Sequence, residues 1–158
     1  MISLGCAKNL VDAEVMMGSL LKQGFEITNE NAEADALIVN TCSFIDAAQE
    51  ESVDTILEST EFRENTNTGQ AVIVSGCLSQ RYRKELPKLM PEVDAFMGID
   101  QVEQVGDIVR KAVDNRESRL GQAEEKPNND ETKRAVAELV ADDEGEQPAT
   151  PGEPLVDI

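Results

Sequence analysis

Three cysteines, Cys6, Cys42 and Cys77, are the residues whose type and spacing point most directly to chemistry. They lie 36 and 35 positions apart in a chain of 158 residues that contains no histidine, so a soft-metal site here would rest on thiolates. Thiolates select zinc, copper(I) and iron–sulfur clusters. Structural zinc usually takes four ligands in close pairs, and no C-x2-C pair is present. Zinc held by three cysteines with an Asp or a water stays open.

A 4Fe–4S cluster is the other candidate for this donor set. Such a cluster normally takes four cysteines, so three leave one iron with an open position that can bind something else. Gly5 and Gly76 precede two of the cysteines and would let the backbone approach a bulky group closely, although strand-to-helix turns use glycine equally often. A lone cysteine is more often packing than ligand. Three at equivalent positions favour a shared ligand.

The positions are equivalent because each cysteine follows a short apolar run of strand length. MISL precedes Cys6, ALIVN (36–40) precedes Cys42, and AVIVS (71–75) precedes Cys77. Continuous apolar runs between amphipathic segments are typical of parallel strands that are covered on both faces. Because the carboxyl ends of parallel strands lie along one edge, the three thiols are predicted to converge there.

The remaining elements complete an α/β pattern. Helical spacing of apolar residues predicts four helices, the first capped by Asn9 and stopped by Gly24, and the third disturbed by Pro87. Their ranges are 9–24, 43–60, 78–90 and 101–113; FEIT (25–28) and DAFM (94–97) are predicted strands, and ENTNTG (64–69) a loop. Residues 1–115 are thus expected to form a doubly wound, mainly parallel, flavodoxin-like sheet of about five strands in the order 2-1-3-4-5, with helices on both faces.

The segment from residue 116 onward has a different character. It holds twelve acidic residues against five basic ones and four of the six prolines, with few apolar residues beyond AVAELV. This composition predicts a disordered acidic linker or tail, with one or two helical turns around Thr132–Val140.

Charge and cysteine usage narrow the partners and the location. The net charge is −18, and the sequence has no basic stripe of the kind that binds phosphate backbones. Direct nucleic-acid binding by this chain is therefore not expected. No apolar stretch approaches the length of a membrane span, and no leader pattern precedes the odd number of cysteines. A cytoplasmic location is therefore expected, where thiols stay reduced.

Polar residues beside the cysteines are candidates for contacts to a bound group. Asn40 and Thr41 could donate hydrogen bonds toward a cluster or its sulfur, as could Lys8 and Asn9, although a helix cap is the simpler role for Asn9. The acids on the predicted helix faces are interpreted as solvated surface charges: Asp12, Glu14, Asp46, Glu50 and Glu51.

Three stretches resemble the amino-terminal domain of the methylthiotransferases, a family of radical S-adenosylmethionine enzymes. They are SLGCAKNLVDAEVMMGSL, ADALIVNTCSFIDAAQEESVDTILE and VIVSGCLSQRYRKELPKLMPEVDAFMG. GCAKNLVDAE, NTCSFIDAAQEES and GCLSQRY with PEVD are similar to the RimO branch, which methylthiolates an aspartate of small-subunit ribosomal protein S-twelve. The branch that modifies tRNA instead carries G-C-Q-M-N and N-T-C-x-x-R-E, and it remains the alternative.

The resemblance implies that Cys6, Cys42 and Cys77 ligate an auxiliary 4Fe–4S cluster whose open iron holds the donated sulfur. In that family a separate domain with a C-x3-C-x2-C motif binds a second 4Fe–4S cluster and S-adenosylmethionine; neither this motif nor the basic β-barrel module is found in residues 1–158. The chain is therefore expected to be a truncated product, or to depend on another chain for the radical step, and to be inactive alone. A metal-free flavodoxin-like binding module and an electron carrier are the competing readings.

Overall fold

The computed structural model describes residues 1–122 and 127–143, and these form alternating strands and helices. The strands are β1 (Ile2–Ser3), β2 (Ala36–Thr41), β3 (Ala71–Gly76) and β4 (Ala95–Phe96). The α-helices are α1 (Ala7–Lys22), α2 (Asp46–Thr66), α3 (Cys77–Arg81), α4 (Leu86–Leu89), α5 (Val105–Arg119) and α6 (Asn129–Asp143). Short 3-10 helices cover Asn31–Glu33 and Ile99–Gln104.

The strands of the described residues form one parallel sheet in the order β1-β2-β3-β4. β2 and β3 pair along their whole length, from Ala36 opposite Ala71 to Thr41 opposite Gly76. β1 pairs with only two residues of β2, and β4 pairs with only two residues of β3. The two central strands therefore set the register of the whole sheet.

Helices cover both faces because side chains alternate along the central strands. Val39 and Val74 point to one face, where they pack with apolar residues of α2, α4 and α6. Ile38 and Ile73 point to the other face, where they pack with residues of α1 and α5. The predicted α/β architecture, with a parallel sheet between helices, is confirmed.

The predicted strand FEIT at residues 25–28 is wrong. The Gly24 and Phe25 N–H groups donate to Leu21 O (3.2 Å) and Leu20 O (3.0 Å), which is a Schellman cap on α1 with Gly24 at φ +87°. The N–H of Phe25 is thus used by the helix end, and residues 25–28 form no strand. The sheet consequently has four strands, and the order 2-1-3-4-5 loses its first member.

Several predicted boundaries also move. Pro87 lies in the first turn of α4, so the predicted helix 78–90 is divided into α3 and α4 by a turn. α2 extends to Thr66, into the predicted loop, and a 3-10 helix precedes α5. The DAFM strand shrinks to two residues. Proline cannot continue a helix that starts before it, because its N–H is missing and its ring crowds the preceding turn.

Residues beyond 115 are more ordered than their composition predicts, wherever the structure describes them. Residues 116–119 complete α5, and α6 is a helix of 15 residues where one or two turns were expected. Val136 of α6 is buried against the core beside α2, with Leu139 and Val140 packed around it. This apolar face explains the helix. The predicted disorder at 123–126 and 144–158 lies outside the described residues, and a division at residue 115 stays a prediction.

Candidate metal centre

The three cysteines lie at the carboxyl ends of three adjacent strands. Cys6 caps the N-terminus of α1 just after β1, Cys42 directly follows β2, and Cys77 directly follows β3 as the first residue of α3. All three are free thiols. We call this region, defined by Cys6, Cys42 and Cys77, the thiol edge. The structure thus places each cysteine after the carboxyl end of a strand, as the sequence pattern predicts.

The three thiols differ in exposure and in electrostatic environment. Cys6 is exposed, Cys77 is partly buried, and Cys42 is 3% exposed. The backbone N–H groups of Asn9 and Lys8, at the start of α1, lower the pKa of the Cys6 thiol. Burial raises the pKa of Cys77, the Lys8 cation lowers it, and negative charge on Cys42 and Cys6 raises it further. The pKa of Cys77 therefore depends on charge at both other cysteines.

Two glycines allow the cysteine loops to approach each other. Gly5 has φ +88° and Gly76 has φ +98°, in the left-handed region that side chains avoid. A Cβ on Gly5 would lie 2.6 Å from Cys42 Sγ, and one on Gly76 would lie 2.8 Å from the backbone nitrogen of Thr41. The expected positive φ is therefore present at both positions. In this structure each glycine makes room for the neighbouring loop.

Asn40 and Thr41, predicted to reach toward a cluster or its sulfur, bond to protein groups in this structure. The Asn40 amide donates to Asn9 O (2.8 Å), and its oxygen accepts from the Ser75 hydroxyl (3.3 Å). The Thr41 hydroxyl donates to Ser75 O (2.5 Å). Both side chains are fully buried. They bind β1, β2 and β3 together beneath the thiol edge, and a contact from either one to a bound group stays a prediction.

Asn9 is the residue whose role the sequence assigned wrongly. It is expected to cap the first helix, but α1 begins two residues earlier and Cys6 occupies the capping position. The Asn9 amide nitrogen instead donates to Leu4 O (2.8 Å) and Thr41 O (2.6 Å). Asn9 follows Cys6 by three residues at a strand-to-helix turn, and a residue in the first helical turn can face the preceding loop. This spacing is the sequence signal that could have indicated a contact between Asn9 and the cysteine loops.

The loop that carries Cys42 is held by a serine that the sequence did not single out. The Cys42 N–H donates to Ser52 Oγ (3.1 Å), and the Ser52 hydroxyl lies 2.9 Å from Cys42 O. Phe44 and Ile45, two and three residues after Cys42, are 87% and 55% exposed. They place an exposed apolar pair close in sequence to the buried thiol.

The predicted surface acids do not join the thiol edge. Glu14, Asp46, Glu50 and Glu51 are exposed, and Asp12 is partly exposed, 3.4 Å from the Lys8 ammonium. A cleft of about 540 Å³ lies between α2 and α6, lined in part by Asp46 and Glu50, but no cysteine lines it. The chemistry of the chain is therefore concentrated at the cysteines.

Three thiols form a soft donor set that zinc, copper(I) and iron–sulfur clusters all accept. Within residues 1–122 and 127–143, no three His, Cys, Asp or Glu side chains are close enough together to hold one metal ion. A cluster spans several ångströms and takes its thiolates on separate irons, so its ligands can be spaced more widely. The three cysteines are donors of the type that such a cluster binds, and Cys6 is the exposed member of the three.

The thiol edge lies within a segment that matches a known protein family. The family described as uncharacterized protein family UPF0004 matches residues 1–98, a range that contains all three cysteines. The chain belongs to this family. Among the described residues, no helix of this UPF0004 member combines the length and the apolar character that crossing a membrane requires.

Curated relatives carry a function in their names. The ribosomal protein uS12 methylthiotransferase RimO of Akkermansia muciniphila is 53% identical over 116 residues, which are 72% of this chain and 26% of the relative. The protein of the same name from Pelobacter propionicus is 53% identical over 109 residues, 69% of this chain and 24% of the relative. The one from Caldicellulosiruptor saccharolyticus is 44% identical over 126 residues, 80% and 28%. The chain therefore spans about a quarter of the length of these relatives.

Proposed function

We propose that this UPF0004 chain is the amino-terminal domain of a methylthiotransferase and carries a 4Fe–4S cluster on Cys6, Cys42 and Cys77. The observation that carries the proposal is the arrangement of three free thiols on neighbouring loops at one sheet edge. Similarity to the uS12 methylthiotransferases over the same residues supports it. Three ligands leave one iron open, which distinguishes this donor set from the four-cysteine shell of a typical electron carrier.

The chain's own residues would bind and shelter the cluster. When bound, it would supply an open iron that holds the sulfur to be methylated and transferred. Cys42 is already buried and its backbone is hydrogen-bonded to Ser52, whereas Cys6 is exposed. The N–H groups at the start of α1 stabilise the Cys6 thiolate, and the Lys8 cation favours the Cys77 thiolate. These groups lower the cost of removing the protons that metal binding displaces.

The substrate and the remaining cofactors belong to the proposal for the whole enzyme. We infer ribosomal protein uS12 as the target from the relatives' names, and an aspartate as its modified residue from the resemblance to the RimO branch. Net charge of −18 suits a basic protein partner better than RNA. S-adenosylmethionine and the second cluster would bind a radical domain joined to this one or supplied by another chain. Phe44 and Ile45 offer an exposed apolar contact beside Cys42. A cytoplasmic location suits three free thiols.

Anaerobic reconstitution with iron and sulfide tests the cluster. We expect about four irons per chain and a visible chromophore in the parent protein. Cys42→Ala should lose both, because one of three ligands is removed. Ser59→Ala is the matched control: Ser59 is also a small buried residue, but it bonds to Thr55 O within α2, so its loss should leave iron content unchanged.

The same preparation separates the competing functions. Added methanethiolate should shift the electron paramagnetic resonance spectrum of the reduced cluster if one iron is open. An unchanged spectrum would instead indicate an electron carrier. One zinc per chain would indicate the three-cysteine zinc site, and a colourless, folded, iron-free protein would indicate a metal-free binding module. Each of these last three results contradicts the proposal.

A further inference from the structure

We propose that Asn9 is the positioning residue of the thiol edge, a single side chain that holds the three cysteine-bearing loops in register. The inference rests on the proposed function, because it gives those loops a common ligand to bind. Asn9 is fully buried and contacts all three loops at once. We expect its loss to separate the thiols without removing any of them.

Two of the contacts are hydrogen bonds from the amide nitrogen. Asn9 Nδ2 donates to Leu4 O at 2.8 Å, two residues before Cys6, and to Thr41 O at 2.6 Å, immediately before Cys42. Both N–H groups of the amide are therefore used, one on each loop. Because a carbonyl oxygen cannot donate, only the nitrogen can face these two acceptors, and the orientation of the amide is fixed.

The third contact follows from that orientation. With the nitrogen committed to Leu4 and Thr41, the Asn9 oxygen faces the third loop, where Oδ1 lies 3.8 Å from Cys77 Sγ. The thiol donates this weak hydrogen bond to the amide oxygen. One planar group of three heavy atoms therefore spans the carboxyl ends of β1, β2 and β3.

Asn9 is itself held in place. It lies in the first turn of α1, and its backbone oxygen accepts a 2.8 Å hydrogen bond from Asn40 Nδ2. Asn40 is in turn bonded to Ser75 of β3. A functional group can hold its neighbours accurately only when its own position is fixed by a second layer of contacts. Here that layer is formed by β2 and β3, the two longest strands.

The chain contains a matched control for this role. Gln70 is also fully buried, and its amide nitrogen donates to two backbone carbonyls, Asn31 O (2.6 Å) and Ala34 O (2.9 Å). It lies next to the first residue of β3, at the end of the sheet opposite the cysteines. Replacing either amide with alanine removes two comparable hydrogen bonds. Only Asn9 is expected to change how the thiols act together.

Arsenite binding to the metal-free protein provides a test that does not depend on the cluster. One arsenous acid condenses with three thiols, forming three As–S bonds and releasing three waters. Because no three metal-binding side chains of the described residues are close enough together to hold one ion, the cysteine loops must close around the arsenic, and the affinity reports how readily they do so. We expect the parent and Gln70→Ala to protect all three thiols from titration at one equivalent. Asn9→Ala should weaken the apparent affinity about tenfold or more, because two buried hydrogen bonds that align the loops are lost.

Asn9→Ser is measured beside it, since the shorter hydroxyl can replace one donor and should lose less affinity. Equal affinity in Asn9→Ala and the parent would overturn the inference, as would an equal loss in Gln70→Ala. Failure of the parent to bind arsenite would overturn it too. If the parent binds arsenite but takes up no iron, the proposed cluster fails while the role of Asn9 stands.

Discussion

The two ends of the sheet are built in opposite ways. At the amino end, Arg63 and Asp94 form a 2.8 Å ion pair in which both side chains are fully buried. Asp94 also accepts the Val72 N–H (2.8 Å) and lies 3.2 Å from Arg119 Nη1. We call this the amino-end ion cluster; it is completed by Glu64 and Arg116. It joins α2, β3, β4 and α5 through the chain's own charges.

The thiol edge instead carries three free cysteine thiols. Its loops approach each other through two glycines at positive φ, and the pKa of Cys77 is lowered by the Lys8 cation and raised by charge on the other two cysteines. Glycine adopts positive φ without the steric cost that a side chain would add. The amino end is closed by the chain's own charges, whereas the thiol edge presents three free thiols on closely approaching loops.

Removing a buried charge at the amino end should produce the largest effect. Arg63→Leu removes the fully buried partner of the Asp94 carboxylate and leaves Arg116 and Arg119 as cationic neighbours, so we expect the free energy of unfolding at pH 7 to fall by about 3 kcal/mol. Burial raises the pKa of Asp94. The folded chain therefore takes up a proton at higher pH than the unfolded chain, and the loss should shrink as pH falls through that pKa. Urea denaturation at several pH values measures both.

Arg83→Leu is the control for this prediction. Arg83 forms a 2.6 Å pair with Asp100, but both side chains are about half exposed. Exposed pairs contribute little, so the expected loss is about 0.5 kcal/mol. Equal losses in the two variants would contradict the view that the amino-end ion cluster stabilises the fold.

A side chain at Gly76 should produce the next largest effect. Gly76→Ala forces alanine to φ +98° and brings its Cβ against the backbone of Thr41, so we expect a loss of about 2 kcal/mol. Gly18→Ala is the control, since Gly18 lies inside α1 with open space around it. That change should stabilise the protein by about 0.5–1 kcal/mol. Urea denaturation compares them, and a neutral Gly76→Ala would show that this loop is not under strain.

The sequence was sufficient for features that depend on local pattern. Apolar runs located β2 and β3 within one residue, and with them the positions of Cys42 and Cys77 at the carboxyl edge. A period of two along a strand and of 3.6 along a helix is a property of nearby residues, so a single chain reveals it. The end of α1 near Gly24 could also be predicted, because a glycine that ends a helix bonds to residues close to it in the sequence.

Features that depend on distant partners could not be predicted in this way. FEIT has the composition of a strand, but it pairs with no strand of the described residues. Asn9 resembles a helix cap until Thr41, 32 positions away, is known to lie beside it. Arg63 lies beyond the predicted helix 43–60, and no residue near it in the sequence indicates that Asp94 is placed against it. In each case contacts between distant residues decided the role.

Thiol reactivity should reveal a smaller effect, within the thiol edge itself. Cys6 is exposed, and helix N–H groups lower its pKa, whereas Cys77 is partly buried with a raised pKa. The thiolate is the reactive form, so iodoacetamide at pH 7.5 should label Cys6 about tenfold faster than Cys77. Cys42, at 3% exposure, should react slowest for lack of access. Timed quenching and mass spectrometry of the peptides measure each rate.

The pH profile of the same reaction separates charge from access. Because the Cys6 pKa is lowered, labelling of Cys6 should persist to lower pH than labelling of Cys77. If the two thiols differed only in access, the ratio of their labelling rates would be the same at every pH. In urea the three rates should converge, since the helix start and the burial are lost together. If the labelling rates of Cys6 and Cys77 have parallel pH profiles in the folded protein, α1 does not stabilise the Cys6 thiolate. The thiol edge would then lack the stabilised thiolate that distinguishes it from the amino-end ion cluster.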